Sequence, residues 1–163
     1  MIQRVLVANR GEIACRILRA CREAGLSSVA IYAENDREGM FRELADESVL
    51  LEGDTIAETY LNGAAIIQAA KEIGADAIHP GFGFLSENCE FVRLCEKCEL
   101  TFVGPSADNI HLMGDKILSK QFAKKVGLPI LESIEVENLD DSLYKKVQKI
   151  GYPVIIKASA GGG

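Results

Sequence analysis

The stretch Ile78-His79-Pro80-Gly81-Phe82-Gly83-Phe84-Leu85-Ser86-Glu87-Asn88 is the most informative part of the sequence. An apolar strand pattern ends here, a proline and two glycines follow, and a helix begins. In an open α/β sheet, ligands bind beyond the carboxyl ends of the strands, where the backbone must approach another molecule closely. Gly81 and Gly83 permit that approach and allow left-handed backbone angles. A tight turn between a strand and a helix explains the same residues, so the stretch alone leaves both interpretations open.

Composition limits the class of protein. The 163 residues are 48% hydrophobic and 26% charged, which is ordinary for a globular domain. The net charge of −6 argues against a general nucleic-acid binder. No apolar run approaches the roughly 20 residues that a membrane span needs. The apolar start, residues 1–7, is too short for a secretion signal and predicts a first strand. We therefore expect a cytoplasmic protein that contacts neither nucleic acid nor a membrane.

The five cysteines predict reduced thiols. Cys95 and Cys98 form a CxxC pair, which raises the possibility of a metal or redox site. A zinc site needs further ligands at close spacing, and the sequence does not supply them. A redox pair has its first cysteine at a helix start, whereas Cys95 follows a helical run. We expect small, buried or half-buried thiols and no metal site.

Short β-rich runs alternate with helical periods along most of the chain. The predicted strands are residues 4–8, 29–32, 49–51, 76–79 and 100–103, and the predicted helices between them are residues 12–24, 62–73 and 87–98. Strands that alternate with helices of ten or more residues indicate a parallel, doubly wound sheet. The fold class predicted is therefore α/β and Rossmann-like.

The pattern changes after Gly104-Pro105. Helices are predicted for residues 106–113, from a cap at Asp115 to residue 126, and for residues 141–150, with β-like stretches at 130–136 and 153–157. We predict a first domain over residues 1–112 and the start of a second over residues 113–163. A glycine-rich run after an apolar strand normally leads into further structure, so we expect the chain to be a fragment.

Four segments together resemble the biotin carboxylase family, the ATP-dependent component of the biotin-dependent carboxylases. They are the stretch quoted above, Ala8-Asn9-Arg10-Gly11-Glu12-Ile13-Ala14, Leu112-Met113-Gly114-Asp115-Lys116 and Gly151-Tyr152-Pro153-Val154-Ile155-Ile156-Lys157-Ala158-Ser159. The resemblance covers the whole chain, in order and at family spacing. It implies a pre-ATP-grasp domain followed by the beginning of an ATP-grasp domain that stops in its glycine-rich loop.

Two lysines are candidates for nucleotide binding. On the residues alone, Lys116 is a solvated lysine in a first helical turn, and Lys157 is a strand-end lysine whose ammonium reaches water. The resemblance implies that both contact ATP phosphate. It also implies that the loop with Ser159, Gly161, Gly162 and Gly163 folds over the phosphates as a lid. Ala160 departs from the family, where a glycine is frequent at this position.

The opening stretch also contains candidate pocket residues. Ser86 can cap a helix that Glu87 opens, and His79 can hold the loop by hydrogen bonds, so capping explains these residues without a ligand. The resemblance implies instead that His79, Phe82, Gly83 and Glu87 border the pocket where bicarbonate, phosphate and biotin meet. Many family members carry tyrosine where this chain has Phe82. An aromatic face for biotin remains, but a phenol hydrogen bond does not.

The first predicted helix carries a charged stripe. Glu12 with Arg16 and Arg19 with Glu23 are i,i+4 pairs that can simply solvate an exposed face. The resemblance implies that Arg16, Arg19 and Glu23 contribute to a homodimer interface. The turn before this helix lacks GxGxxG, so a dinucleotide fingerprint is not supported.

The resemblance implies a reaction for the complete protein. MgATP (or MnATP) would activate bicarbonate, and biotin on a biotin carboxyl carrier protein would be carboxylated. This is the first half-reaction of acetyl-CoA carboxylase in fatty acid biosynthesis, with carboxyltransferase subunits as further partners. The catalytic base, the catalytic arginine and the metal-binding glutamates of the family lie downstream. We therefore expect no catalytic residue and no metal ligand within the 163 residues, and no activity from them alone.

Two alternatives stay open at this point. Pyruvate, propionyl-CoA, methylcrotonyl-CoA and urea carboxylases share the same motifs, and downstream sequence would distinguish them. A non-catalytic module that dimerises through the first helix is an alternative from a different class.

Overall fold

Five parallel strands form the sheet at the centre of the first part of the chain. In the computed structural model, which describes residues 1–134, 136 and 141–157, the strands are β1 (Arg4–Val7), β2 (Ser27–Tyr32), β3 (Glu47–Leu50), β4 (Ala77–His79) and β5 (Thr101–Phe102). Their order across the sheet is β3-β2-β1-β4-β5, and each neighbouring pair is parallel. The predicted doubly wound α/β class is confirmed.

Helices connect the strands as the alternation predicts. They are α1 (Gly11–Glu23), α2 (Met40–Leu44), α3 (Gly63–Glu72), α4 (Cys89–Lys97) and α5 (Ala107–Gly114), with a short 3₁₀ turn at Glu34–Asp36. All the helices and strands predicted before residue 114 are present, with ends that differ by no more than two residues. Only α2 and the 3₁₀ turn were not predicted, because five and three residues are too short to show a helical period.

The sheet is buried on both faces. Successive side chains of a strand point to opposite faces, so Leu6 packs into one core cluster while Val5 and Val7 pack into another. Ile66 of α3 and Phe91 of α4 belong to the cluster with Leu6. The other cluster takes its helical members from α1 and α2: Ala14, Ile17, Leu18, Cys21 and Phe41. Helices α3 and α4 therefore cover one face of the sheet, and α1 and α2 cover the other.

The strand order reverses direction between β1 and β4. After β1 the chain turns to the face of α1, and after β4 it reaches α4 on the opposite face. The Ala8 N–H donates to the His79 carbonyl oxygen (2.9 Å), so the two strand ends lie side by side. Such a switch point opens a crevice at the carboxyl ends of the strands, which is where α/β sheets bind ligands.

The remaining residues form a second unit. The chain divides into compact units Met1–His111 and Leu112–Gly163, while the domain assignment of 1–112 and 113–163 stays a prediction. The second unit contains α6 (Lys116–Lys125) and α7 (Asp141–Ile150). Asp115 caps α6 as predicted, because its Oδ1 accepts from the N–H groups of Ile117 (2.8 Å) and Leu118 (2.9 Å). No helix in the described part of the chain is long and apolar enough to cross a membrane.

Two predicted strands are wrong. The described residues of 130–136 and residues 153–157 form no strand. A strand requires a neighbour for its N–H and C=O groups, and no described strand pairs with either segment. Ile155 and Ile156 are accordingly 83% and 91% exposed, although their apolar character is typical of a buried strand.

Leu6 on the central strand should contribute far more to stability than Leu50 on the edge strand. Leu6 is fully buried, whereas Leu50 is 37% exposed. We expect Leu6→Ala to lower the free energy of unfolding by roughly 3–5 kcal/mol, because a cavity adds to the lost transfer energy. Leu50→Ala should cost about 1 kcal/mol or less. Urea unfolding followed by circular dichroism measures both, and equal losses would contradict the assignment of β1 to the sheet centre.

Candidate functional site

The candidate site is the loop of residues 80–88, which joins β4 to α4 and which we refer to as the switch-point loop. Gly81 (φ 67°), Gly83 (φ 75°) and Phe84 (φ 46°) all have left-handed backbones. A left-handed conformation is cheap for glycine but strained for phenylalanine. Between these residues, Phe82 has 77% of its surface exposed. The loop thus presents an aromatic ring to solvent from an unusual, tightly turned backbone.

Asn9, in the segment after β1, holds the switch-point loop by side-chain hydrogen bonds. Its side chain is buried, and its Nδ2 donates to the carbonyl oxygens of Pro80 (2.7 Å) and Phe82 (2.8 Å). Its Oδ1 accepts from the Arg10 N–H (2.9 Å). Both amide hydrogens of the side chain are therefore used on the loop. We did not predict this role, although the sequence places Asn9 directly after β1, beside the switch point.

The two loop glycines are required for different reasons. A Cβ on Gly81 would lie 2.6 Å from Ile13 Cγ2 and 2.8 Å from Asn9 Nδ2. A Cβ on Gly83 would meet nothing within 4 Å. Gly81 is therefore needed for close packing as well as for its backbone angle. Gly83 is needed for its angle alone, and the space beside it is open.

His79 supports the loop from its strand end. Its Nδ1 accepts from the Gly81 N–H (3.1 Å), so the neutral ring carries its proton on Nε2. Half-burial lowers the pKa of His79, because desolvation disfavours the charged ring. This is the loop-holding role that the residues alone indicate. Contact of His79 with a ligand stays a prediction.

The predicted capping of α4 by Ser86 is wrong. Helix α4 begins two residues later, and Asn88 caps it by accepting from the Phe91 N–H (2.9 Å) at Oδ1. The Ser86 N–H instead donates to the Gly83 carbonyl oxygen (2.9 Å), which closes a turn. Asparagine is as good a cap as serine, and the Asn88 N–H donates to the Leu85 carbonyl oxygen (3.1 Å), so residue 87 lies in a turn and not in the helix. Glu87 is exposed and precedes the helix.

Tyr60 supports the loop on a second side. Its ring stacks on Phe84, with centroids 5.2 Å apart and an angle of 18° between the planes. The fully buried hydroxyl donates to Asp36 Oδ2 (2.7 Å) and accepts from the Ala33 N–H (3.1 Å). Burial, with the hydrogen bond to Asp36 second, raises the pKa of the phenol, so Tyr60 stays neutral. Sequence reasoning missed Tyr60, because nothing local in its segment indicates these contacts.

Arg10 extends this network to the turn after β1. Its guanidinium pairs with Asp36 (Nη1 to Oδ2, 3.0 Å) and lies 5.7 Å from the centre of the Tyr60 ring. The segments that follow β1, β2 and β3 therefore meet through side chains, and Tyr60 connects them to the switch-point loop.

The predicted interface residues lie together on α1. Arg16, Arg19 and Glu23 are exposed, while the opposite side of the helix is buried. None of the ion pairs among the described residues joins Glu12 to Arg16 or Arg19 to Glu23. Arg16 and Arg19 line a shallow groove of about 530 Å³ with Met40 of α2. The charged side chains are thus available to an external partner.

The nucleotide candidates belong to the second unit. Lys116 is half-buried in the first turn of α6, and Lys157 is exposed. Ser159, Gly161, Gly162 and Gly163 lie outside the described residues, as does Ala160. The carboxylate of Asp115 caps this end of α6, directly before Lys116. Contact of Lys116 or Lys157 with phosphate stays a prediction.

The cysteines are free thiols, as predicted. Cys21 and Cys95 are buried, and the other three are half-buried. Burial raises the pKa of Cys95 to about 12, which makes it a poor thiolate. Among the described residues, no group of three or more His, Cys, Asp or Glu side chains is arranged to hold a metal ion.

Fold and site together define an α/β domain with a tightly turned, partly exposed loop at the switch point of a parallel sheet. Residues 1–110 match the family model described as biotin carboxylase, N-terminal domain. Residues 115–163 match the carbamoyl-phosphate synthase L chain, ATP binding domain. The chain belongs to the biotin carboxylase family.

Relatives and solved structures agree with this membership. Biotin carboxylase 1 of Bacillus subtilis is 48% identical over all of this chain, which spans 36% of that protein. The 2-oxoglutarate carboxylase small subunit of Hydrogenobacter thermophilus is 49% identical, with 34% of its length spanned. A crystal structure similar to this chain is that of the biotin carboxylase domain dimer of the H. thermophilus 2-oxoglutarate carboxylase, in complex with MgADP, ADP and bicarbonate. The TM-score is 0.92 and the sequence identity is 48%. The match covers 100% of this chain and 36% of the chain in that structure. The chain thus spans about a third of the curated relatives it matches.

The two glycines should respond differently to alanine. We expect Gly83→Ala to cost about 1–2 kcal/mol, from the left-handed backbone alone. Gly81→Ala adds a steric clash with Ile13 and Asn9, so its cost should rise to roughly 2–5 kcal/mol. Chemical denaturation of both variants measures the difference. Equal costs would show that Gly81 is not in contact with Asn9.

Stability should depend on pH through His79. Because burial lowers the folded-state pKa of His79, the contribution of its neutral ring to stability is fully present above the unfolded pKa of about 6.5. As the pH falls below that value, the unfolded chain binds the proton more readily, so stability declines until the folded-state pKa is passed. We expect His79→Asn, whose Oδ1 can accept the same bond without titrating, to lose less stability between pH 7 and pH 5. Urea unfolding at the two pH values measures these losses. Equal losses of stability in the wild type and in His79→Asn would contradict the role of His79 in this pH dependence.

Proposed function

We propose that this chain acts in a biotin carboxylase, which uses MgATP and bicarbonate to carboxylate biotin on a carrier protein. One observation carries the proposal. A partly exposed loop, held by Asn9, lies at the switch point of a domain that matches the biotin carboxylase N-terminal domain, and an ATP binding domain match follows it in the chain. Because the chain spans about a third of its relatives, the reaction is proposed for the protein of which these residues form that part.

Lys116 and Lys157 are the proposed phosphate contacts. ATP supplies the phosphoryl group that activates bicarbonate, and the two ammonium groups would neutralise phosphate charge as it develops. The match of residues 115–163 to an ATP binding domain supports both roles. Ser159, Gly161, Gly162 and Gly163 are proposed to contribute backbone N–H groups to the same phosphates. No described residue is assigned to Mg²⁺.

The switch-point loop is the proposed wall of the pocket for biotin and bicarbonate. The exposed ring of Phe82 offers an apolar face on which the planar ureido group of biotin can pack. The open space beside Gly83 allows the ligand to approach the backbone closely. His79 and Glu87 are proposed as polar neighbours of the same pocket.

Helix α1 is the proposed homodimer face, through Arg16, Arg19 and Glu23. A two-fold interface is self-complementary, so the basic and acidic ends of this stripe can each meet the opposite end on a second copy. Their exposure supports this proposal. So does the dimer in which the H. thermophilus domain was solved.

The molecule that finally accepts the carboxyl group from biotin differs among the relatives. Relatives of nearly equal identity act in different carboxylases, such as biotin carboxylase 1 and the 2-oxoglutarate carboxylase small subunit. The half-reaction at biotin is what they share. We propose acetyl-CoA carboxylase as the parent enzyme, with a biotin carboxyl carrier protein and carboxyltransferase subunits as partners. The proposed compartment is the cytoplasm, which agrees with five free thiols.

A hybrid enzyme tests the proposal directly. The 163 residues replace the equivalent part of B. subtilis biotin carboxylase 1, to which they are 48% identical. We expect the hybrid to carboxylate free biotin and to hydrolyse ATP only when bicarbonate is present. A folded, dimeric hybrid without either activity would favour the alternative of a non-catalytic dimerising module.

The two lysines should affect ATP selectively in this hybrid. Removal of a charged hydrogen bond to phosphate is worth roughly 1.5–3 kcal/mol, so Lys116→Ala and Lys157→Ala should each raise the KM for ATP on the order of tenfold or more. Lys125→Ala, which removes an exposed lysine from the other end of α6, is the matched control and should leave KM unchanged. An unchanged KM in both test variants would refute their roles.

A further inference from the structure

Asn9 and Tyr60 act on the exposed part of the switch-point loop without being part of it. We propose that they are positioning residues, which hold the loop so that Phe82 and Gly83 meet biotin in one fixed orientation. This inference rests on the proposed function of the loop. Neither residue is assigned a role by the resemblance to the family, and both are found through contacts in the structure.

The contacts of Asn9 are directional. A buried amide must satisfy both of its hydrogens, and here they go to two carbonyl groups on either side of Gly81. These bonds determine which way the peptide groups of Pro80 and Phe82 face. Since Oδ1 is occupied by the Arg10 N–H, the amide has one favourable orientation. Asn9 therefore sets the backbone that carries the Phe82 ring.

Tyr60 constrains the other side of Phe82. Its ring stacks on Phe84, whose left-handed backbone is strained and persists only where surrounding contacts enforce it. The Tyr60 hydroxyl is itself held by Asp36 and Ala33, so the stacking surface cannot rotate away. Contacts that lie outside the loop thus maintain the strained backbone conformation of Phe84.

The two supports enclose the residues proposed to touch the ligand. Asn9 binds the carbonyl groups of residues 80 and 82, and Tyr60 packs on residue 84. Phe82 and Gly83 lie between these points and are exposed. A preorganised loop loses less conformational entropy when its ligand binds, and a displacement of about 1 Å can cost on the order of 100-fold in rate. Loss of either support should therefore weaken use of biotin specifically.

Hydrogen exchange in the 163-residue chain tests whether the loop is held. Asn9→Ala removes two bonds from the loop, and Tyr60→Leu removes the stacked ring. The Gly81 amide donates to the His79 ring at the end of β4, and the Ser86 amide donates to the Gly83 carbonyl oxygen within the loop. We expect both amides to exchange on the order of 10-fold faster in each variant. Tyr60→Phe keeps the stack and should show a smaller increase. Unchanged exchange in Asn9→Ala and Tyr60→Leu would overturn the proposal.

Steady-state kinetics of the hybrid enzyme test the consequence for the ligand. We expect both variants to raise the KM for biotin about 10-fold or more, while the KM for ATP changes less than about 2-fold. The control is Ser28→Ala, which removes a buried hydroxyl that donates to Asp46. Ser28 lies near the amino end of β2, whereas the switch-point loop follows the carboxyl end of β4. It should lower stability and leave both KM values unchanged.

The outcomes separate this inference from the proposed function. Equal rises in both KM values, or a rise in biotin KM with Ser28→Ala, would show a general loss of stability and would overturn the positioning role. An inactive hybrid with faster loop exchange in both Asn9→Ala and Tyr60→Leu would refute the proposed function, while the two residues would still hold the loop.

Discussion

The parallel pairing of β1 with β4 is the constraint on which the rest of the first unit depends. It brings residues about seventy positions apart into register and sends the chain from β1 and from β4 to opposite faces of the sheet. In open α/β sheets, the ligand position at such a switch point is a consequence of strand order and not of any one side chain. The loop after β4 can then be held by Asn9 after β1. Without this pairing, neither the left-handed turns of the loop nor the exposure of Phe82 would have support.

Local pattern predicted much of this architecture. The alternation of apolar strands with helices of about three turns indicates a doubly wound sheet, since few other folds satisfy it. Glycines at 81 and 83 indicate a loop with unusual backbone angles, as observed. The start of α4 was placed too early, because Ser86 and Asn88 are equally good caps and only the turn from Gly83 to Ser86 selects between them. The strands predicted at 130–136 and 153–157 failed because a strand needs a hydrogen-bonded neighbour.

The most informative site residues could not be predicted for a different reason. The amide of Asn9 meets carbonyl groups 71 and 73 residues away, and Tyr60 meets Asp36 at a separation of 24. An asparagine after a strand and a tyrosine in a connecting segment are common, so neither indicates its partner. Sequence patterns report short-range periodicity, whereas these contacts exist only after the sheet has formed. The resemblance to a family identified the loop they hold, but not the residues that hold it.

The long-range contacts of Asn9 also bear on the order in which the protein folds. A contact between residues 71 positions apart closes a long segment of chain, and the entropy of closing it must be met before the bond forms. Helices such as α1 and α3 need only local bonds and can form early. The switch-point loop can take its final shape only after β1 and β4 have paired. We therefore expect competence to bind a ligand to be acquired last in folding, later than the secondary structure that dominates the far-ultraviolet circular dichroism signal.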